Sequence, residues 1–257
     1  MDTELSSSAT AVVVGASGGL GHAWVEQRLA CGRFSTVLAL SRTPSGARAA
    51  LPGAPASAGG ATLVEGHIDL QEPSSIARAA AMAGTLPPIR EVFVASGLLH
   101  AQDGLAPEKS MRALDAAQLQ RLFEVNAIGP ALVARHFMPI MPREGRVVFA
   151  ALSARVGSIT DNRLGGWYGY RASKAALNQF IRTLAIEWSR TAKGSVCVGL
   201  HPGTVDTALS APFQANVAQD RLFTPQQSVT ALAAVLASLS AADTGQVFAW
   251  DGQPVPA

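Results

Sequence analysis

A chain of 257 residues that is 48% hydrophobic and 15% charged has the apolar mass for a sizeable core and does not read as a disordered polymer. Its net charge is only +2, and the lysines and arginines are scattered instead of striped, so no electrostatic face for nucleic acid or a membrane surface is expected. No uncharged apolar run reaches the ~18 residues of a membrane span, the start Met1-Asp2-Thr3-Glu4 lacks a leader's basic segment, and Cys31 and Cys197 have no CxxC spacing. A cytoplasmic protein with reduced thiols and no metal cluster is expected.

Residues 1–9 read as a polar arm, and residues 10–257 as one domain. Ala11-Val12-Val13-Val14 is an unbroken β-branched run, the pattern of a parallel strand buried on both faces. It enters Gly15-Ala16-Ser17-Gly18-Gly19-Leu20-Gly21, after which Ala23 to Ala30 has a helical pattern. A strand, a glycine-rich turn and a helix together aim backbone N–H groups and a positive helix end at a phosphate. The spacing is GxxxGxG, wider at its first interval than GxGxxG. A dinucleotide site is predicted there.

The second strand, Thr36 to Leu40, ends in Ser41-Arg42, where a dinucleotide fold meets the adenosine ribose. An acid there would bond a free 2′-hydroxyl; this chain has a base, which predicts NADP(H) over NAD(H). Arg48 reads as a solvated surface arginine before a second contact. Residues 43–61 read as a short helix or loop rich in Ala, Gly and Pro. A third strand, Ala61 to Glu65, leads to His67-Ile68-Asp69-Leu70 and to a helix near Pro73, with Ser74 and Ser75 available for capping. Asp69 can accept from an adenine amino group or cap its own turn. A fourth strand, Glu91 to Ala95, ends in Ser96-Gly97.

A long helix is predicted from about Ala116 to Met138, kinked near Gly129-Pro130, with Asn126 among apolar neighbours where asparagine is disfavoured. The fifth strand, Arg146 to Ala150, stops before Leu152-Ser153. A polar loop follows, then a helix to about Arg190. The sixth strand, Ser195 to Leu200, ends at His201-Pro202-Gly203-Thr204-Val205-Asp206-Thr207, on the edge where open parallel sheets bind ligands. His201 reads as structural before catalytic. Residues 208–223 read as an irregular segment, with about 206–224 as a substrate loop. A helix from Pro225 to Leu239 and a seventh strand, Gln246 to Trp250, complete an alternation that predicts an α/β fold: a Rossmann-type doubly wound domain with about seven parallel strands and helices on both faces.

Tyr170 and Lys174, four residues apart, share one face of the helix that follows the polar loop. A phenol titrates near 10, and an ammonium about 4 Å away would stabilise the phenolate and bring its pKa down, towards general acid–base use.

With these motifs in this order, the chain resembles the short-chain dehydrogenase/reductase family from about Thr10 to Gly252. Ser153-Ala154-Arg155-Val156-Gly157-Ser158-Ile159 and Asp161-Asn162-Arg163 make it most similar to the C-factor or sniffer-type carbonyl reductase branch. The resemblance implies that Gly15, Gly19 and Gly21 bind the pyrophosphate, with Ser17, Gly18 and Leu20 in the same turn. It also implies that Ser41, Arg42, Asp69, Leu70, Ser96 and Gly97 flank the cofactor, and that Pro202, Gly203, Thr204, Val205 and Thr207 lie near the nicotinamide. Tyr170 is then the acid/base and Lys174 the group that lowers its pKa. Ser153 would orient the carbonyl, with Ser158 in reserve, because Ala154 stands where the family often has a second serine. Asn126 would support a water that leads to Lys174.

The implied activity is NADPH-dependent reduction of a ketone or aldehyde, by a homodimer or homotetramer built on the helices near 116–138 and 170–190. An NADP(H)-binding signalling or redox-sensor protein with little turnover is the alternative. An apolar mouth is expected from Leu98, Leu99, Trp167, Leu209 and Phe213, with Tyr168 lining it.

Overall fold

A computed structural model describes residues 8–44, 60–216, 218 and 221–257. Most of the 1–9 arm and of the 43–61 stretch, and Arg48, lie outside the described residues. The strands are β1 (Thr10–Val14), β2 (Thr36–Ser41), β3 (Thr62–His67), β4 (Ile89–Val94), β5 (Val147–Leu152), β6 (Ser195–His201), β7 (Thr204–Val205), β8 (Leu222–Phe223) and β9 (Val247–Ala249). The helices are α1 (Gly19–Ala30), α2 (Pro73–Ala83), α3 (Ala116–Phe123), α4 (Gly129–Phe137), α5 (Tyr168–Trp188) and α6 (Pro225–Ser238).

Seven strands form one parallel sheet in the order β3-β2-β1-β4-β5-β6-β9, the predicted doubly wound α/β architecture. Alternate residues of β1 and β2 feed opposite faces, as the period of a strand requires. Val12, Val14, Leu38 and Leu40 join one core with α2, α4 and α5; Val13, Val37 and Ala39 join the other with α1 and α6. Both faces are therefore covered, which is why these strands carry apolar residues at successive positions.

Strand order reverses at β1, so β2 and β4 leave it in opposite directions and their carboxyl ends open a crevice. Gly15, at φ 85°, turns the chain out of β1 here. A Cβ on it would lie 2.6 Å from Ser96 Oγ and 2.9 Å from Ser96 N, so only glycine lets the β1 and β4 ends approach.

The predicted 116–138 helix is not continuous. It breaks into α3, a π-helical turn over Glu124–Ile128, and α4. Pro130 has no N–H for the carbonyl four residues back, that of Asn126, and its ring crowds it. The Gly129 N–H bonds Glu124 O instead, a wider turn. The disruption thus lies just before the expected kink, with Asn126 at its centre.

The 206–224 segment, in its described residues, carries more regular structure than predicted. It begins and ends beside a two-stranded parallel pairing, Thr204 opposite Leu222 and Val205 opposite Phe223, with a 3₁₀ turn at Ala211–Asn216 between them. Two-residue strands carry too little pattern to be read from sequence. Among the described residues no helix is long and apolar enough to cross a membrane.

Candidate active site

A cleft of about 540 Å³ lies along the carboxyl edge of the sheet. At one end Gly15, Ser17, Gly18, Gly19, Leu20 and Gly21 line it. Gly18 is the extended N-cap residue of α1 and no side chain caps that helix, so its first-turn N–H groups are available to an anion. A Cβ on Gly19 would lie 2.9 Å from Thr207 Cγ2, so glycine lets the 206–224 segment close onto this turn.

Beyond it, Ser41 and Arg42 line the cleft at the end of β2. Ser41 is buried and donates to Thr43 O at 2.9 Å, while Arg42 is exposed. No acid occupies this strand end, and an exposed guanidinium suits a phosphate. Ile68, Asp69, Leu70 and Gln71 form the adjoining wall. Asp69 Oδ1 accepts the Gln71 N–H at 2.9 Å and so closes its own turn. Ser75 accepts the Asp69 N–H at 2.8 Å; α2 starts from Glu72 without a side-chain cap, so neither Ser74 nor Ser75 serves as its N-cap residue.

The uncapped glycine turn and the acid-free β2 end fit a dinucleotide along this edge. Ser96 and Gly97 continue the lining, and Pro202 and Thr207 supply the facing side. Gly203, Thr204 and Val205 do not line the cleft. Gly203 turns at φ 77° against the Phe223 ring, and the other two are held in β7.

At the far end Leu152, Ser153, Tyr170 and Lys174 meet, brought together from β5 and from successive turns of α5. Tyr170 and Lys174 are buried at 8% and 2% exposure. The sequence predicted an ammonium aimed at the phenol; the structure corrects this. Lys174 Nζ donates to Leu152 O at 2.8 Å and lies 5.8 Å from the centre of the Tyr170 ring. Burial then dominates both groups, pushing the phenol up to about 12 and the ammonium down to about 8. Burial thus favours the neutral form of the Tyr170 phenol.

Asn126 is fully buried, and its side chain is already committed. Oδ1 accepts the Leu98 N–H at 2.8 Å; Nδ2 donates to Leu98 O at 2.8 Å and to Ser173 Oγ at 3.1 Å. It staples the loop after β4 to α5, which accounts for a buried asparagine in a helix.

The fold separates the two serine candidates. Ser153 lines the cleft, and its hydroxyl donates to Asn178 Oδ1 at 2.6 Å. Ser158 is buried outside the lining and tied to Ala257 O at 3.2 Å. His201 also lies outside it, held neutral by burial that lowers its pKa to about 4.

A family model for short chain dehydrogenases matches residues 9–218. The chain belongs to the short chain dehydrogenase family. It is an oxidoreductase of that family, with relatives of differing names. It is 34% identical over 143 residues to the C-signal protein of Myxococcus xanthus, covering 56% of this chain and 81% of the relative. It is 28% identical over 244 residues to the 1-hydroxy-2-glutathionyl-2-methyl-3-butene dehydrogenase of Rhodococcus sp. strain AD45, covering 95% and 97%. Among solved structures, NADPH-bound carbonyl reductase from chicken fatty liver superposes with a TM-score of 0.81 at 26% identity, covering 97% and 98%.

Sequence reasoning missed several residues in this short chain dehydrogenase. Gln71, His100, Ala101, Arg121 and Val125 line the cleft, and Asn178 holds Ser153. None stands in a local pattern that marks a site. The apolar mouth is divided: Leu98 and Leu209 line the cleft, Leu99 is buried, and Trp167 and Phe213 pack edge to face at 5.0 Å outside the lining. Tyr168, expected to line the pocket, is instead exposed on the first turn of α5.

Proposed function

We propose that this chain is an NADPH-dependent carbonyl reductase in which Tyr170 is the general acid. The observation that carries the reading is a buried phenol at the carboxyl edge of a doubly wound sheet, in one cleft with an uncapped glycine turn. When bound, the dinucleotide supplies the hydride that attacks the carbonyl carbon. The turn from Gly15 to Gly21 would hold the pyrophosphate at the start of α1, and Arg42 would hold the 2′-phosphate. The carriage of NADPH by the chicken carbonyl reductase supports that choice of cofactor.

The substrate carbonyl enters between Leu98 and Leu209 with its oxygen towards Tyr170. As negative charge develops on that oxygen, the Tyr170 hydroxyl gives it a proton, and in the oxidative direction the phenolate takes one back. Ser153 supplies a second hydrogen bond, exchanging its link to Asn178 for one to the oxygen. Lys174, anchored on Leu152 O, returns a proton to Tyr170 after turnover, and Asn126 keeps the surrounding loop in register. The reading takes residues 10–257 as one catalytic domain in a cytoplasmic homo-oligomer. The exposed Ile128, Phe180 and Ile186, on the stretches expected to form the interface, support the oligomer.

The test is NADPH oxidation against a panel of aldehydes, ketones, quinones and steroids, with Tyr170→Phe as control and NADH in parallel. Turnover that disappears in the variant while NADPH still binds is expected. Cofactor binding without turnover on any compound would overturn the reductase and favour a redox sensor.

A further inference from the structure

Glu108 is a buried carboxylate that takes no part in the mechanism above. It is 3% exposed and lies between β4 and α3, in a stretch without regular structure. Among the described residues no lysine, arginine or histidine pairs with it. Its side-chain oxygens both accept from the Gly169 N–H, at 3.3 and 3.2 Å. Its main-chain carbonyl accepts the Trp167 N–H at 2.6 Å. A buried carboxylate without a cation is costly, and what offsets the cost here is the positive end of a helix. That helix is α5, and the residue after Gly169 is Tyr170.

Two further features converge on this contact. The chain enters α5 through Gly165, Gly166 and Trp167, all in the left-handed region, at φ 63°, 64° and 53°. For two glycines this is free, but a tryptophan there is an outlier that its surroundings must hold. The Glu108 carbonyl holds its N–H, and its ring meets Tyr170 at 6.2 Å and Phe213 at 5.0 Å. The close approach also depends on Gly169. A Cβ there would lie 2.8 Å from Glu108 Oε1, 2.6 Å from Leu122 Cδ1 and 2.8 Å from Leu119 Cδ2, so the missing side chain is what admits the carboxylate between α3 and α5.

We propose that Glu108 is a positioning residue for Tyr170. One residue grips the first turn of α5 twice, by side chain at Gly169 and by main chain at Trp167, and so sets the height at which the phenol enters the cleft. The inference rests on Tyr170 being the proton donor, but the position of that ring is measurable without turnover. The chain has only two tyrosines, so in a Tyr168→Phe background isotope-labelled tyrosine gives one ring signal, that of Tyr170.

The experiment compares Glu108→Ala, Glu108→Asp and Glu108→Gln in that background by the tyrosine signal, kcat, KM and NADPH affinity. The alanine variant removes the acceptor and the aspartate withdraws it by one methylene. Both are expected to shift or broaden the signal and to lower kcat by at least about tenfold, with NADPH affinity within about threefold, because small misplacements of a reacting group are costly. Glutamine keeps a carbonyl acceptor in place and is expected to restore the signal and most of kcat. Should the alanine protein fail to fold, the aspartate variant decides. An unmoved signal with kcat within about twofold would overturn the proposal, as would equal losses in all three variants accompanied by loss of NADPH affinity. If the parent protein turns over no carbonyl, the reductase reading fails, and the tyrosine signal still decides the role of Glu108.

Discussion

Lys174 spends a hydrogen bond on the main chain of Leu152: Nζ donates to that carbonyl at 2.8 Å, at the point where β5 delivers Ser153 into the cleft. The ammonium thereby ties α5 to the sheet edge while lying over the Tyr170 ring, 5.8 Å from its centre. Burial lowers its pKa to about 8 from 10.5. Below pH 8 the lysine is protonated in both folded and unfolded chains and the cost of burying the charge is fully present. Between pH 8 and 10.5 only the unfolded chain binds the proton, so this residue's contribution to stability rises with pH, by up to roughly 3 kcal/mol. Cys197, pushed up to about 12 by burial, works the other way above pH 9. Lys174→Met should therefore exceed the parent in stability at pH 7, and its advantage should shrink between pH 8 and 10.5. Denaturant melts of both proteins across that range measure the difference; a constant gap would show that the charge costs nothing.

Arg42 is exposed at the end of β2, with no acid beside it. Arg42→Ala should raise KM for NADPH by about tenfold or more while leaving NADH nearly unchanged, since a charge-assisted bond to a phosphate contributes about 1.5–3 kcal/mol. Initial rates with the two cofactors check this. Equal changes for both would mean that Arg42 does not read the 2′-phosphate.

Ser153 donates to Asn178 in the structure and must exchange that bond to serve a substrate oxygen. A preorganised oxyanion donor typically contributes 10²–10³ in kcat. Because Ser153 is not free beforehand, Ser153→Ala should cost only about tenfold, and Ser158→Ala should leave kcat unaltered. Steady-state kinetics on both variants separate them, and equal kcat in Ser153→Ala and the parent would remove the serine from the mechanism.

Asn126 makes three hydrogen bonds from a fully buried site in the π-helical turn. Asn126→Leu keeps the bulk but strands the Leu98 N–H and C=O, at about 1–3 kcal/mol for each buried unsatisfied group. A stability loss of roughly 2–4 kcal/mol is expected by denaturant titration, with a rise in KM for substrate because Leu98 lines the cleft. A loss below about 1 kcal/mol would show that the staple is not structural.

The succession of strands and helices and the glycine turn after β1 were legible because their signals are local. The β-branched run from Val12 to Val14 has the pattern of a strand covered on both faces, and the glycines at 15, 18, 19 and 21 that follow it mark the turn into α1. Tyr170 and Lys174 were legible because helical spacing alone puts them on one side. Their protonation was not. Spacing sets which groups are neighbours, but a pKa depends on solvent and on where Nζ finds an acceptor, here the carbonyl of Leu152 on another element. The same holds for the break at Asn126, displaced from Pro130 by the search of freed backbone groups for partners, and for the choice between Ser153 and Ser158. Glu108 had no sequence signal at all. It lies 61 residues from the Gly169 N–H that it holds, and no periodicity spans that distance. Local order follows from residues close in the chain, whereas the charge, orientation and reach of the site follow from burial and from contacts that exist only once α3, α5 and the end of β5 have packed together.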